Sequence, residues 1–362
     1  MAEVVFEAVS KSYGRTQALD ALTLRAADRS FSVVSGPPGC GKSVLLRLLV
    51  GIESPDAGRI LLGGADITDI RPGARPIGYV PQSFALFPHM TVRTNIAYPL
   101  KLAGAPRARI DELVGRSAEM VSISHLLDRT PDQLSGGEKQ RVAVARGLSK
   151  EAHVFVLDDP LVGLDYKLRE RLMGDLKVLR AELDATFVYA TSDPLEALVM
   201  STDLTVLEAG RLIQTGPVEE VYAEPASADA LRLVGFPRAN LVEGRAARGR
   251  VTAGPLSFTA HVRDGPMQVG LRPEALRLAD APGGVAATVT LVEDLGGEYI
   301  VYLDAAGTPL TLACGADEIA RPGIGARVGV LADPVQCIVF DAADGTALGR
   351  GTAASERETA HG

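Results

Sequence analysis

The chain has 362 residues, 46% of them hydrophobic, which is enough to bury the cores of two domains. Its formal net charge of -8, with no dense run of lysine and arginine, disfavours a nucleic-acid partner. The three cysteines, Cys40, Cys314 and Cys337, are too few and too scattered for a disulfide framework or a zinc site, which favours a reducing cytoplasm.

The first residues, MAEVVFEAVSKSYG, lack the basic flank and unbroken apolar core of a signal peptide. No later segment approaches the ~20 consecutive apolar residues that a membrane-spanning helix needs. We therefore expect any membrane role to depend on a partner protein.

Up to about residue 235, short β-rich runs alternate with helical runs, as in RSFSVVSG followed by GKSVLLRLLVG. This alternation predicts an α/β fold with a mostly parallel sheet and helices on both faces. The alternation lapses between Gln82 and Gly136, which predicts a helical insertion at about 88–135.

The pattern changes in the last third of the chain to short strands separated by Gly, Pro and Asp turns. It predicts a small all-β domain, a barrel or sandwich, over residues 236–345. Residues 346–362 have almost nothing to bury and are predicted to form a disordered tail.

The segment GPPGCGKS fits the phosphate-loop pattern G-x-x-x-x-G-K-[ST] and lies between the predicted strand FSVVS and the predicted helix VLLRLLVG. In such a loop the backbone N–H groups point at phosphate oxygens, and the helix N-terminus adds its dipole. Lys42 would add a cation near the outer phosphates, and Ser43 a hydroxyl for Mg²⁺. The alternative is a Gly/Pro turn that happens to precede a lysine. The residues of the loop are Gly36, Pro37, Pro38, Gly39, Cys40, Gly41, Lys42 and Ser43.

The stretch HVFVLDDPLVGLD runs from an apolar strand into two consecutive acids, Asp158 and Asp159. Asp158 ends the strand, which is the position from which a carboxylate reaches the Mg²⁺ of a P-loop site. Considered alone, it is equally well explained as an ordinary acid in a strand-end turn.

The segment LSGGEKQRVAVARGL, 134–148, occurs together with the P-loop, YVPQ at 79–82, LDDP at 157–160 and GLD at 163–165. With these motifs in this order, the chain resembles the ATP-binding subunit of an ABC transporter. The resemblance implies that two such domains sandwich two ATP molecules, each held between one subunit's P-loop and the other subunit's LSGGE. By this resemblance, the γ-phosphate of the ATP on the opposing subunit's P-loop would be contacted by the LSGGE residues Ser135, Gly136, Gly137 and Glu138.

The same resemblance assigns two further nucleotide contacts. Tyr13 would stack on adenine, and Gln82 would ligate Mg²⁺ or water and report nucleotide state to the helical insertion. Without the resemblance, Tyr13 is an ordinary surface packing residue and Gln82 an ordinary loop amide.

The segments VGLRPEAL, 269–276, and VTLVEDLGGEYIVYL, 289–303, resemble the regulatory β domain of maltose-type carbohydrate importers. The implied solutes are sugars, polyols and glycerol phosphates, and the implied cofactors are ATP and Mg²⁺. Implied partners are membrane permease subunits, a second ABC ATPase and, indirectly, a solute-binding protein, with the chain peripheral on the cytoplasmic face of the membrane. The segment 86–100 resembles the permease-docking face; it is otherwise an ordinary amphipathic helix packing inward.

Two residues depart from the family pattern at catalytic positions. Asp159 stands where the family has a glutamate that orients or deprotonates the attacking water, and Ser192 stands where the family has a histidine. A misplacement of ~1 Å can lower a rate ~10²-fold, so we expect slowed hydrolysis. Pro38 and Val44 remove a possible N–H donor and a possible hydroxyl near the phosphates, whereas LSGGEKQR is unaltered.

Three hypotheses follow from this asymmetry. The chain is one of two different ATPase subunits, with a weak site of its own and a role in completing its partner's site. Alternatively it is a homodimeric transport ATPase that uses Asp159, or a nucleotide-gated regulatory module without hydrolysis. A non-transport ABC ATPase acting on DNA or ribosomes is disfavoured by the β domain and the acidic balance.

Overall fold

The structure is a computed structural model, which describes residues 2–279, 284–317 and 322–352. The chain divides into two compact units, 1–218 and 219–362. The division comes earlier than the predicted boundary between residues 235 and 236.

The secondary structure of the first unit alternates between strands and helices for most of its length. Its strands are β1 Val4–Tyr13, β2 Thr16–Ala26, β3 Phe31–Ser35, β4 Ala57–Leu62, β5 Ala65–Asp66, β6 Ile77–Val80, β7 Val154–Asp158, β8 Thr186–Thr191, β9 Asp203–Glu208 and β10 Arg211–Pro217. Its helices are α1 Lys42–Val50, α2 Val92–Leu102, α3 Arg107–Met120, α4 Gly136–Leu148, α5 Tyr166–Leu183 and α6 Pro194–Met200.

A six-stranded sheet in the order β10-β9-β3-β8-β7-β6 forms the centre of the first unit. All pairs in it are parallel except β9 with β10. Strands β3, β7 and β8 are buried along their whole lengths, which explains their continuous apolar sequences. The predicted α/β fold is confirmed.

The parallel register brings three loops to one edge of this sheet. Ser35 at the end of β3 pairs with Thr191 at the end of β8, and Asp158 at the end of β7 pairs with Ala190. The P-loop, Asp159 and Ser192 follow these strand ends, and therefore lie close together despite their distance in sequence.

A second sheet, antiparallel and in the order β2-β1-β4-β5, was not predicted. Its strands β1 and β2 form a hairpin in which Tyr13 pairs with Thr16. The α-helices α2 and α3 occupy the segment where the helical insertion was predicted. The buried side-chain amide of Asn95, in α2, donates to the carbonyls of Phe87, Met90 and Thr91. These bonds fix the turn that leads into the helix.

The second unit is mostly antiparallel sheet. Two short helices, α7 Val218–Ala223 and α8 Ala228–Leu233, precede its strands. The strands are β11 Asn240–Ala247, β12 Arg250–Ala253, β13 Leu256–Thr259, β14 Gly265–Leu271, β15 Leu276–Ala279, β16 Val285–Asp294, β17 Glu298–Ala305, β18 Thr308–Gly315, β19 Arg327–Ala332, β20 Ile338–Asp341 and β21 Ala347–Arg350.

In the described residues these strands form two sheets, in the orders β13-β12-β11-β14-β20-β21 and β15-β19-β16-β17-β18. One apolar cluster joins them, with Val269 from the first sheet and Val301 from the second both fully buried. The predicted small all-β domain is therefore confirmed.

The helices at 218–233 belong with the β strands because their apolar side chains pack there. Ala228 and Leu231 of α8 form a cluster with Ile338 and Phe340 of β20. The buried guanidinium of Arg272 donates to the backbone carbonyls of Tyr222 and Leu231. Because of these contacts, the division between the units comes earlier in the chain than the change in composition.

The prediction of a disordered tail over residues 346–362 is wrong for the first residues of that segment. Residues 347–350 form β21, which pairs with β20, and Thr352 bonds through its backbone to Thr259. Backbone hydrogen bonds to β20 hold this segment, and its apolar residues Ala347 and Leu348 pack against the clusters of the β unit. The rest of the predicted tail, 353–362, lies outside the described residues. Among the described helices, none combines the length and apolarity needed to cross a bilayer.

Candidate nucleotide-binding site

The P-loop curls between the end of β3 and the start of α1, and two of its glycines are required by its geometry. Gly41 has φ 112°, and a Cβ there would lie 2.6 Å from the carbonyl oxygen of Ala18. Gly39 has φ 81°, a conformation that other residues rarely adopt. The loop thus takes the tight curve that turns backbone N–H groups inward.

Lys42 is 6% exposed, and its Nζ donates to the carbonyls of Gly36 at 2.7 Å and Pro37 at 3.1 Å. The ammonium therefore lies within the loop's own curve. The N-cap of α1 is Gly41, which has no side-chain oxygen, and the first turn contains no acid. The N–H groups and positive dipole end of α1 thus remain available to an anion.

Ser43 and Asp158 form the second part of the site. The Ser43 hydroxyl donates to Asp158 Oδ1 at 2.9 Å, and Asp158 is 4% exposed at the end of β7. Burial raises the pKa of the Asp158 carboxyl, while the Ser43 hydrogen bond lowers it. A hydroxyl beside a carboxylate is the hard oxygen donor set that Mg²⁺ prefers, so these residues fit the metal.

Asp159 turns away from the line of β7. Its φ is 49°, and its backbone N–H donates to the carbonyl of Ala190 at 2.9 Å. Its carboxylate Oδ2 accepts the hydroxyl of Ser192 at 3.4 Å. Burial raises the pKa of Asp159, against the opposing effects of Lys42, Ser192 and Thr191. The structure thus places Asp159 against the segment that follows β8.

Asp193 caps α6, as the sequence predicted, because its Oδ1 accepts the backbone N–H groups of Leu195 and Glu196. Glu196, however, is 4% exposed and bonds to Tyr189 and Thr191 through its side chain. The sequence analysis took Glu196 only as a helix-start residue. No local pattern marks its burial, because Tyr189 belongs to the preceding strand.

The LSGGE segment forms the first turn of α4. The Ser135 hydroxyl accepts the backbone N–H of Glu138 at 3.3 Å, and the Glu138 carboxylate accepts the N–H of Ser135 at 2.7 Å. This reciprocal capping box orders the turn while Ser135 and Gly136 stay exposed. Within the described residues, no hydrogen bond joins this turn to the chain's own P-loop.

The remaining candidate residues lie around this centre. Tyr13, 44% exposed at the end of β1, donates its hydroxyl to Glu53, which also pairs with Arg47 at 2.6 Å. Gln82 is exposed in the loop after β6, and Pro38 is exposed in the P-loop. Val44 packs against the core below the P-loop. No recorded contact in the described residues joins Tyr13 or Gln82 to Lys42, Ser43 or Asp158.

A largely apolar cleft of about 430 Å³ lies beside the loop that contains Gln82. Its lining includes Tyr79, Phe87, Tyr98, Leu102 and Arg146. The Arg146 guanidinium donates to the carbonyls of Phe84 at 2.9 Å and Ala85 at 2.7 Å. Arg146 thereby ties α4 to this loop, a role that the sequence analysis missed.

A phosphate loop and a hydroxyl–carboxylate pair lie at one edge of a mostly parallel sheet, and a capped glycine turn begins α4. Together these features define a P-loop nucleotide-binding protein. Residues 19–162 match the family model described as ABC transporter, and residues 269–340 match the TOBE domain.

Relatives match along nearly the whole chain. The sn-glycerol-3-phosphate import ATP-binding protein UgpC of Jannaschia sp. (strain CCS1) is 38% identical, over 89% of this chain and 94% of that protein. UgpC of Paracoccus denitrificans (strain Pd 1222) is also 38% identical, over 95% and 99%. A solved dimer of the ATP-binding cassette MJ0796 bound to ADP and Pi has TM-score 0.54 and 29% identity, covering 59% of this chain and 98% of that one.

The chain belongs to the ATP-binding proteins of the ABC transporter family. It is an ATPase of the class that couples nucleotide hydrolysis to transport.

Proposed function

We propose that this chain is the ATP-binding subunit of an importer for a carbohydrate-type solute, a sugar, polyol or glycerol phosphate. Two relatives that match nearly its whole length are named as sn-glycerol-3-phosphate importers. The TOBE domain in the β unit supports the same subfamily. The solute itself binds elsewhere, to the permease and a solute-binding protein, so this chain supplies the energy of transport.

ATP binds with its phosphates over the P-loop. Lys42 and the N-terminus of α1 neutralise the phosphate charge, and Tyr13, held by Glu53, offers its ring to adenine. Ser43 and Asp158, with Gln82, would hold Mg²⁺, which would supply positive charge next to the phosphates. Asp159 orients the attacking water, and Ser192 holds the Asp159 carboxylate.

The contact between Asp159 and Ser192 carries the proposal that this chain's own site is weakened. Aspartate is one methylene shorter than glutamate, and the serine hydroxyl donates to the Asp159 carboxylate. Losing one preorganised transition-state donor typically lowers a rate ~10²–10³-fold. Hydrolysis at this site is therefore slow.

The face offered to a partner is complete. The capping box orders the LSGGE turn and leaves its N-terminal residues exposed. We therefore assign this chain to a heterodimer with a second ABC ATPase, in which its LSGGE turn completes the partner's faster site.

The membrane permease docks in the cleft beside the Gln82 loop. The cleft has aromatic and aliphatic walls, and Leu102 at its edge is 73% exposed. An apolar cleft with an exposed leucine fits an apolar helix of the partner.

The test compares the purified chain alone with the chain mixed with a second ABC ATPase encoded beside it. We expect tight Mg²⁺-dependent ATP binding by the chain alone, slow turnover, and a large rise in turnover on mixing. Vigorous hydrolysis by the chain alone would support the homodimer that uses Asp159. ATP binding with no turnover in any mixture would support the regulatory module.

A further inference from the structure

Glu196 is a buried carboxylate that the proposed catalytic steps do not use. Its Oε2 accepts the hydroxyl of Tyr189 at 2.9 Å and the hydroxyl of Thr191 at 2.8 Å, and Arg169 Nε lies 3.6 Å from Oε1. Burying an acidic side chain is unfavourable unless such donors compensate it. Two hydroxyls and a guanidinium thus converge on one carboxylate at the start of α6.

Thr191 connects this carboxylate to the segment after β8. Its hydroxyl donates its single hydrogen to Glu196, and its oxygen accepts the backbone N–H of Asp193 at 3.0 Å. Glu196 sets the direction of the first bond, because a carboxylate can only accept, and the direction of the second is fixed because a backbone N–H can only donate. The segment 191–193 is held in one conformation between Glu196 and the cap of α6.

Asp159 is held at its backbone by Ala190 of β8 and at its carboxylate by Ser192 of the 191–193 segment. The carbonyl of Ala190 accepts the Asp159 backbone N–H at 2.9 Å, and the Ser192 hydroxyl donates to its carboxylate at 3.4 Å. The 191–193 segment is also held to α5, because Arg169 donates to the carboxylate of Asp193 at 2.8 Å. A shift of residues 191–193 would therefore move the Ser192 hydroxyl that holds the Asp159 carboxylate.

We propose that Glu196 is a positioning residue for Asp159: it accepts the Thr191 hydroxyl and so fixes the 191–193 segment whose Ser192 holds the Asp159 carboxylate. The inference rests on the proposed function, since it concerns hydrolysis at this chain's own P-loop. It gives the buried glutamate a role at the reacting groups, although its side chain contacts neither nucleotide nor Asp159.

A purely structural role would predict something different. A glutamate that merely satisfies Tyr189 and Arg169 would, on replacement, lower the thermal stability of the chain without a specific effect on hydrolysis. Ser201 provides the matched control, because its buried hydroxyl bonds to Ala197 at the other end of the same helix, at 2.5 Å. S201A removes a hydrogen bond from α6 away from residues 191–193.

The experiment compares the whole chain with E196L, T191V, the double variant and S201A. Three quantities are measured: the Kd for Mg–ATP, single-turnover hydrolysis of labelled ATP with protein in excess, and hydrogen exchange of a peptide covering residues 190–196. We expect E196L and T191V to keep the Kd within about twofold and to lower the hydrolysis rate ~10–100-fold, as expected for a reacting group displaced by up to ~1 Å. Exchange at 192–193 should quicken in both, and not in S201A.

The double variant should be no slower than the slower single variant, because both substitutions break one chain of contacts. The inference is overturned if E196L behaves like S201A, with reduced stability and unchanged hydrolysis, or if the two effects multiply. Absence of single-turnover hydrolysis in the unsubstituted chain would also overturn it, whereas failure to bind ATP would refute the proposed function itself.

Discussion

The hydroxyl of Ser192 donates to the carboxylate of Asp159 at 3.4 Å, so the two residues that depart from the family pattern at catalytic positions contact each other. Neither side chain is long: an aspartate replaces a glutamate, and a serine replaces a histidine. Each side chain has the other as its polar partner. The longer glutamate and histidine of the family would reach further toward the phosphate. The two departures therefore act as one structural unit.

Replacing both residues tests this unit. D159E together with S192H should raise single-turnover hydrolysis by the self-paired chain ~10²–10³-fold, because both a longer base and a transition-state donor are restored. Each single substitution should give much less, since the pair acts jointly. Lower activity in the double variant would instead indicate a native site built around Asp159, as in the homodimer hypothesis.

Removing the P-loop cation should weaken ATP binding selectively. K42M deletes a charged donor at the phosphates, and hydrogen bonds to charged groups contribute about 1.5–3 kcal/mol, so the Kd for ATP should rise ~10–100-fold. Isothermal titration measures it. K177M, at an exposed position on α5, is the control and should bind ATP like the unsubstituted chain.

Ser135 should matter more to the partner's site than to this chain's own. S135A removes the cap of α4 and should lower the free energy of unfolding by ~1 kcal/mol. ATP affinity of the chain alone should stay unchanged, while turnover of the heterodimer falls. S227A removes the equivalent cap of α8 and should lower stability without affecting turnover. A loss of ATP affinity in S135A alone would contradict the proposed division of roles.

Arg146 should couple the docking cleft to α4. R146M would remove the exposed hydrogen bond to the Ala85 carbonyl and the half-buried one to the Phe84 carbonyl, the second a loss of about 1 kcal/mol. We expect normal ATP affinity but reduced stimulation of the ATPase by the permease in proteoliposomes. R116M, at an exposed position on α3, is the control. Unchanged stimulation in R146M would show that the loop does not depend on this tie.

The thiol of Cys337 should make the chain less stable in alkali. Burial, with the added effect of Asp333, raises the pKa of Cys337 to about 12, whereas an unfolded cysteine titrates near ~8.5. The folded state therefore keeps the proton that the unfolded state loses, and stability falls as pH rises from about 8.5 toward 12. Chemical denaturation at several pH values should show a shallower decline for C337A. An equal slope would contradict this assignment.

Local motifs were predictable because their geometry depends on neighbours in sequence. The P-loop needs glycine where φ is positive, as at Gly39 and Gly41, and the LSGGE turn is ordered by two bonds between Ser135 and Glu138. The same holds for Asp193, which caps the two residues that follow Pro194. The alternation of β-rich and helical runs likewise sufficed for the parallel sheet, and short strands separated by Gly, Pro and Asp turns sufficed for the β unit.

The sequence by itself therefore determined the phosphate loop, the family and the two departures at Asp159 and Ser192. Only the tertiary structure decided that these two contact each other, that Glu196 is buried against Thr191, and that α8 packs against β20. The physical reason is the register of the sheet. Pairing between β7 and β8 brings distant strand ends together, and no local pattern of residues encodes which side chains then meet.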